Sequence, residues 1–229
     1  CKQPIYIWGP PGIGKSDIIR QIAKEKNAYV IDIRLSTREP MDLNGSPVPD
    51  EETKTMIWYP PTELPSKEFA SKYNMIILFL DELSSAIPSV QAAAYQLLLD
   101  RKVNNYELPD NVVIAAAGNR QSDRGVTYTI PSPLANRMVH LQMTHSYDDW
   151  FTWAVENNEH PDVIGYITYY KEDLYDFKPS SSGVAFATPR SWSFVSKFLK
   201  VKCEDDHVLA SLITGSVGEG IGLKFLAHR

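Results

Sequence analysis

Gly9-Pro10-Pro11-Gly12-Ile13-Gly14-Lys15-Ser16 fits the pattern G-x-x-x-x-G-K-[ST] at every defined place. Glycines so spaced let backbone N–H groups turn inward around an anion, and a helix starting there adds the positive end of its dipole. Lys15 can then reach the β- and γ-phosphates of a nucleotide, and the Ser16 hydroxyl can bind Mg²⁺. Residues 9–16 and the adjoining Asp17 are the candidate ATP-binding residues. Farther along, the apolar run 75–80 delivers Asp81 and Glu82 to the carboxyl end of a strand, where open α/β sheets bind ligands. Asp81 would hold Mg²⁺, directly or through water, and Glu82 could orient and polarise an attacking water. A third apolar run, 112–117, ends at Gly118-Asn119. If that strand lies between the other two, Asn119 stands beside the γ-phosphate and helps place the water; the plainer reading is an Asn capping a loop. No N-K-x-D guanine-reading motif occurs, so ATP is favoured over GTP.

The elements that must position these groups follow from periodicity. Residues 4–8 read as a strand and 15–27 as a helix with Ile18, Ile19, Ile22 and Ala23 on one face. Further strands are expected at 29–35, 75–80, 112–117 and 139–142, with a helix at 89–99. Strands that are apolar throughout and alternate with helices predict an α/β fold, a doubly wound parallel sheet covered on both faces. Residues 36–66 are rich in proline, show no sustained period and are too long for an ordinary connection, which suggests an insertion with some structure of its own. After His145 the texture changes to aromatic-rich helices at 148–157, 161–170, 189–200 and 205–225, with no convincing strand. The expected organisation is a core over 1–145 and a small α-helical domain over 146–229. Trp150, Trp153, Tyr166, Tyr169 and Tyr170 could suggest base stacking, but at helical spacing in an acidic domain they read as core. His145, His160 and Cys203 lack metal-ligand spacing and read as structural.

Composition bounds the rest. The 229 residues are 43% apolar and 22% charged, which is ordinary globular usage. A net charge of −5 argues against a strongly basic coat for duplex DNA. Two cysteines are too few for a disulfide framework and suit a reducing, cytoplasmic setting. No apolar run approaches a membrane span. Because the chain opens on Cys1 rather than Met, the numbering is expected to begin inside a longer protein.

Together these pieces resemble the AAA+ ATPases, and within them the MoxR-like branch with a helix-2 insert, phage and prophage forms included. Gly9–Ser16 looks like Walker A, 78–82 like Walker B and Asn119 like sensor 1. Asp81-Glu82-Leu83-Ser84-Ser85-Ala86 followed by Val90-Gln91-Ala92-Ala93 is similar to the MoxR segment D-E-[IL]-N-R-A…V-Q-x-A, with Ser84 and Ser85 in place of Asn-Arg. Pro131-Ser132-Pro133-Leu134-Ala135-Asn136-Arg137 resembles the segment that holds the arginine finger, and Thr188-Pro189-Arg190-Ser191-Trp192 resembles sensor 2 on a helix of the lid domain. Residues 36–66 resemble the helix-2 insert, which generally faces a central pore or a partner; a proline-stiffened surface loop is the plain alternative.

The resemblance implies an ATP-driven, Mg²⁺-dependent machine, a homo-oligomer in the form of a hexameric ring with sites at subunit boundaries. Arg137 would reach the neighbour's γ-phosphate, with Arg124 and Arg120 as rivals, and Arg190 would act within its own subunit. A surface arginine or helix-end cap, and a simple salt bridge, are the respective alternatives. It also implies a protein client, for which a von Willebrand factor A-type partner is the leading expectation; the acidic balance argues against nucleic acid as partner and the short apolar runs against a membrane. Two other readings stay open. One is a nucleic-acid motor or helicase loader, against which stands the acidic balance. The other is a nucleotide-gated assembly module with little turnover, against which stand Glu82 and Asn119.

Overall fold

The computed structural model describes residues 2–123, 127–178, 185–201 and 205–229. The first elements are β1 (Ile5–Trp8), α1 (Lys15–Glu25), β2 (Tyr29–Arg34), α2 (Pro40–Asn44), β3 (Ser46–Asp50), β4 (Thr55–Tyr59) and α3 (Lys67–Ala70). They are followed by β5 (Ile76–Asp81), α4 (Pro88–Asp100), β6 (Lys102–Val103), β7 (Tyr106–Glu107), β8 (Val112–Gly118), α5 (Ser132–Ala135) and β9 (Val139–Gln142). The helices α6 (Tyr147–Glu156), α7 (Pro161–Tyr169), α8 (Pro189–Lys200), α9 (Asp206–Val217) and α10 (Glu219–His228) complete the chain. Contacts divide it into two compact units, residues 1–10 with 15–143, and residues 11–14 with 144–229.

In the first unit the sheet runs β2-β5-β8-β1-β9 with every pair parallel. The central strands β5 and β8 are buried almost throughout because they are apolar on both faces. One face packs Ile33, Leu78, Leu80, Val90, Leu97 and Ile114 into the main core, and the other packs Ile7, Ile19, Ala23 and Phe79. Only Ile19 and Ala23 of the expected α1 stripe are buried; Ile18 and Ile22 are 37% and 39% exposed. The buried pair is spaced i,i+4, and its neighbours one position earlier fall on the solvent side of the same helix.

Residues 36–66 are structured. Glu39 and Asp42 form a capping box that starts α2, and Pro40 occupies its first turn. The β3–β4 hairpin that follows pairs Ser46 with Tyr59 and Asp50 with Thr55. Its base requires Gly45, at φ 79°, because a Cβ there would lie 2.0 Å from the Tyr59 carbonyl oxygen. At its turn, Asp50 accepts from the Thr53 hydroxyl and from the Glu52 N–H, which holds the Asp50 carboxyl below its ordinary pKa. The small β6–β7 hairpin is a second element that periodicity does not announce.

The second unit is helical among its described residues. Trp150, Val163, Tyr166, Trp192, Ile213 and Phe225 form its core. Tyr169, expected in that core, is 72% exposed. Buried Asp173 organises the centre, accepting from the Tyr166 hydroxyl at 2.6 Å and pairing with Lys224 at 2.7 Å. Burial and this carboxylate together push the Tyr166 phenol above its ordinary pKa. His160 caps α7 by accepting from the Asp162 N–H, and His145 stacks on Tyr175 at 4.6 Å. The single helix expected over 205–225 is two helices. Gly218 separates α9 from α10 at φ 90°, a left-handed conformation that an L side chain rarely adopts. Cys203 lies outside the described residues.

Candidate active site

The parallel order brings the carboxyl ends of β1, β8 and β5 side by side, and each contributes one part of the site. Beyond β1, the turn 9–14 leads straight into α1, with Gly12 at φ 78° and Gly14 at φ 95°. Lys15 opens the helix and its Nζ donates to the Gly9 carbonyl (2.7 Å), the Pro10 carbonyl (2.9 Å) and Asn119 Oδ1 (2.8 Å). Ser16 Oγ donates to Asp81 Oδ2 at 2.8 Å. Asp81 is buried at the end of β5, and its other oxygen accepts the Glu82 N–H at 2.9 Å. Asp17 points away into solvent and pairs with Arg20 at 3.1 Å.

β8 lies between β5 and β1, the condition on which Asn119 was expected beside the phosphate site. Asn119 meets Lys15 through its side chain, and its backbone N–H donates to Ser84 Oγ at 3.0 Å. Ser84 is buried, and Gly118 makes the approach possible. A Cβ on Gly118 would lie 2.5 Å from Ser84 Oγ and 2.0 Å from the Tyr6 hydroxyl. Burial pushes the Tyr6 phenol well above its ordinary pKa, so it stays neutral beside the site.

Glu82 follows β5 in a left-handed backbone conformation, φ 58° and ψ 31°. Its carboxylate accepts from the Ser36 hydroxyl and lies 3.6 Å from Arg34 Nε. Arg34 ends β2 and Ser36 lies just past it, and β2 pairs with β5 so that Arg34 stands opposite Asp81. Arg34, Ser36, Ser84 and Tyr6 were not expected from sequence. Ser36 is the one with a readable signal, a hydroxyl just past the strand that borders β5.

The two cationic candidates are placed separately. Arg137 is exposed after α5, two residues before β9, and no side-chain ion pair is formed by it among the described residues. Arg190 is exposed in the first turn of α8, behind a capping box made by Thr188 and Ser191, and its N–H donates to the Gly12 carbonyl at 3.3 Å within the second unit. Rival Arg120 is half-buried, and rival Arg124 lies outside the described residues. A cavity of about 390 Å³ beside Asn119 is lined by Trp8, Ser84, Arg120 and Gln142. The larger cavity, about 940 Å³, runs along β2 past Pro61 and Phe69 and contains none of the phosphate-motif residues.

The donor set suits Mg²⁺. Ser16 and Asp81 set two hard oxygens side by side, and among the described residues no cluster of three or more His, Cys, Asp or Glu offers a cage for a tightly held metal. Mg²⁺ characteristically takes one or two protein oxygens and completes its shell with water and phosphate.

Comparison with known proteins gives the family and the fold. Residues 5–144 match the family described as "ATPase family associated with various cellular activities (AAA)". The chain is 30% identical over 170 residues to a Lon protease of Finegoldia magna, and 26% identical over 172 residues to that of Clostridium acetobutylicum. Each match covers 68% of this chain and 20% of the relative, so the chain spans about a fifth of their length. A Thermotoga maritima RuvB mutant superposes with a TM-score of 0.50 at 14% identity, over 98% of this chain and 61% of that one, a likeness of fold.

Proposed function

The chain belongs to the AAA family of ATPases, and from that footing we propose that it hydrolyses ATP with Mg²⁺ to remodel or assemble a protein partner, in the manner of the MoxR-like branch. The observation that carries the hydrolytic part is the junction of Lys15, Ser16, Asp81 and Asn119 at the ends of three adjacent strands. The turn 9–14 would cradle the phosphates with its N–H groups, and Lys15 would exchange its present acceptors for phosphate oxygens. Ser16 and Asp81 would hold Mg²⁺, which when bound offsets charge on those oxygens. Glu82 would take the proton of the attacking water while Asn119 fixes that water's position. Arg34 and Ser36 hold the Glu82 carboxylate and act as positioning residues. Arg137 from a neighbouring subunit of a ring, and Arg190 from the helical domain over 146–229, would complete the charge around the γ-phosphate.

The remodelling part is supported by the ordered hairpin inside 36–66, between β2 and β5, and by the Asp81–Ala86 and Val90–Ala93 tracts. A von Willebrand factor A-type client and a cytoplasmic site of action are part of the same proposal. The test is Glu82→Gln. It should keep ATP affinity and lose about a hundredfold or more in turnover. Equal turnover by the variant at saturating ATP would remove Glu82 from this role.

A further inference from the structure

The two edges of the β3–β4 hairpin are chemically unlike. Pro47 and Pro49 have no N–H, so neither can sit in a pair that exchanges both backbone hydrogen bonds. The exchanging pairs are therefore Ser46–Tyr59, Val48–Ile57 and Asp50–Thr55. The outer edge of β3 lacks donors at both prolines, a common way of blunting an edge. On β4 the same alternation turns the N–H and C=O of Met56 and Trp58 outward, and among the described residues no strand pairs with that edge. The side chains along it are apolar and in solvent: Met56 is 54% exposed, Ile57 41% and Tyr59 59%. The hairpin is preformed, fixed at its base by Gly45 and at its turn by Asp50. Asp50 spends its carboxylate on the turn, which leaves Glu51 and Glu52 to give that end a negative field against Lys54.

We propose that β4 receives an extended segment of a partner polypeptide as an added strand. The segment carries alternating apolar side chains and a Lys or Arg where it passes the acidic turn. Main-chain bonds to Met56 and Trp58 would supply affinity with little demand on sequence, and Ile57 and Tyr59 would select apolar residues. A second copy of this hairpin would bring the apolar residues but not the matched basic group. The proposal rests on the reading of the chain as a protein remodeller and says how the client is held.

The probe is a fluorescein-labelled Lys-Val-Thr-Val-Thr-Val-Thr peptide, with a proline-interrupted version as control. Amide hydrogen exchange on the unmodified chain should slow by about tenfold or more at Met56 and Trp58 with peptide present, while Ile57, already in the hairpin ladder, stays unchanged. Met56→Pro should weaken peptide binding by about tenfold, and Met56→Ala by only about threefold or less. Unchanged exchange at both amides under saturating peptide, or equal losses in the two variants, would overturn the assignment. Protection that rises with protein concentration alone would overturn it in favour of a second copy. ATP turnover measured in the same samples separates the two ideas. Protection without turnover sinks the ATPase reading, and turnover without protection sinks strand addition.

Discussion

Asn119 is held from two directions, by Lys15 through its side chain and by Ser84 through its backbone. Ser84→Ala would remove the acceptor of the half-buried Asn119 N–H just past β8, a cost of about 0.5–1.5 kcal/mol at that point. Turnover should fall by roughly tenfold while the KM for ATP stays within about twofold, because phosphate binding does not use Ser84. Steady-state kinetics would settle this; an unchanged kcat would show that Asn119 needs no such support. Residues 9–16, Asp81 and Glu82 are legible from sequence because their chemistry is local: a glycine turn entering a helix, and a carboxylate pair ending an apolar strand. Arg34, Ser36, Ser84 and Tyr6 meet their partners only through the pairing of β2 with β5, of β5 with β8 and of β8 with β1. No window of sequence contains both partners, so spacing could not find them.

At the scale of elements, the parallel sheet is legible because buried strands are apolar without interruption and end at glycine or acid. The β3–β4 hairpin is not, because its faces are both largely in solvent and leave no alternating pattern. The α9–α10 break is hidden for the opposite reason: apolar residues recur on both sides of Gly218 at helical spacing, and only its φ of 90° marks the corner. Gly218→Ala should therefore cost about 1–2 kcal/mol in urea unfolding, from the left-handed backbone and from a Cβ placed 3.1 Å from the Ala185 carbonyl oxygen. A change under a few tenths would mean the corner tolerates a side chain. In α1, Ile19 is 2% exposed and Ile22 39%. Ile19→Ala should cost about 2–4 kcal/mol and Ile22→Ala under about 1. Similar losses at both would show that Ile22 is covered in solution.

At the scale of the whole molecule, Arg137 is the candidate for a shared site, being exposed and without a side-chain ion pair among the described residues. Arg137→Ala should bind ATP nearly normally and hydrolyse it poorly, since a cation supplied in trans to a transferring phosphoryl group is worth on the order of a thousandfold. Mixed with Glu82→Gln, it should recover part of the lost turnover, because some boundaries then join an intact Glu82 to an intact Arg137. Absence of recovery in demonstrably mixed assemblies would count against a trans role and move attention to Arg124. The blunted β3 edge bears on association of another kind. A hairpin with two open edges can be extended from either side, and copies could stack without end into a fibre. With Pro47 and Pro49 on one side, two copies that pair through β4 present only blunted β3 edges, and growth stops at the pair. Self-pairing of this hairpin is self-terminating, so a chain that must expose a sticky strand to work can do so at high concentration without seeding polymer.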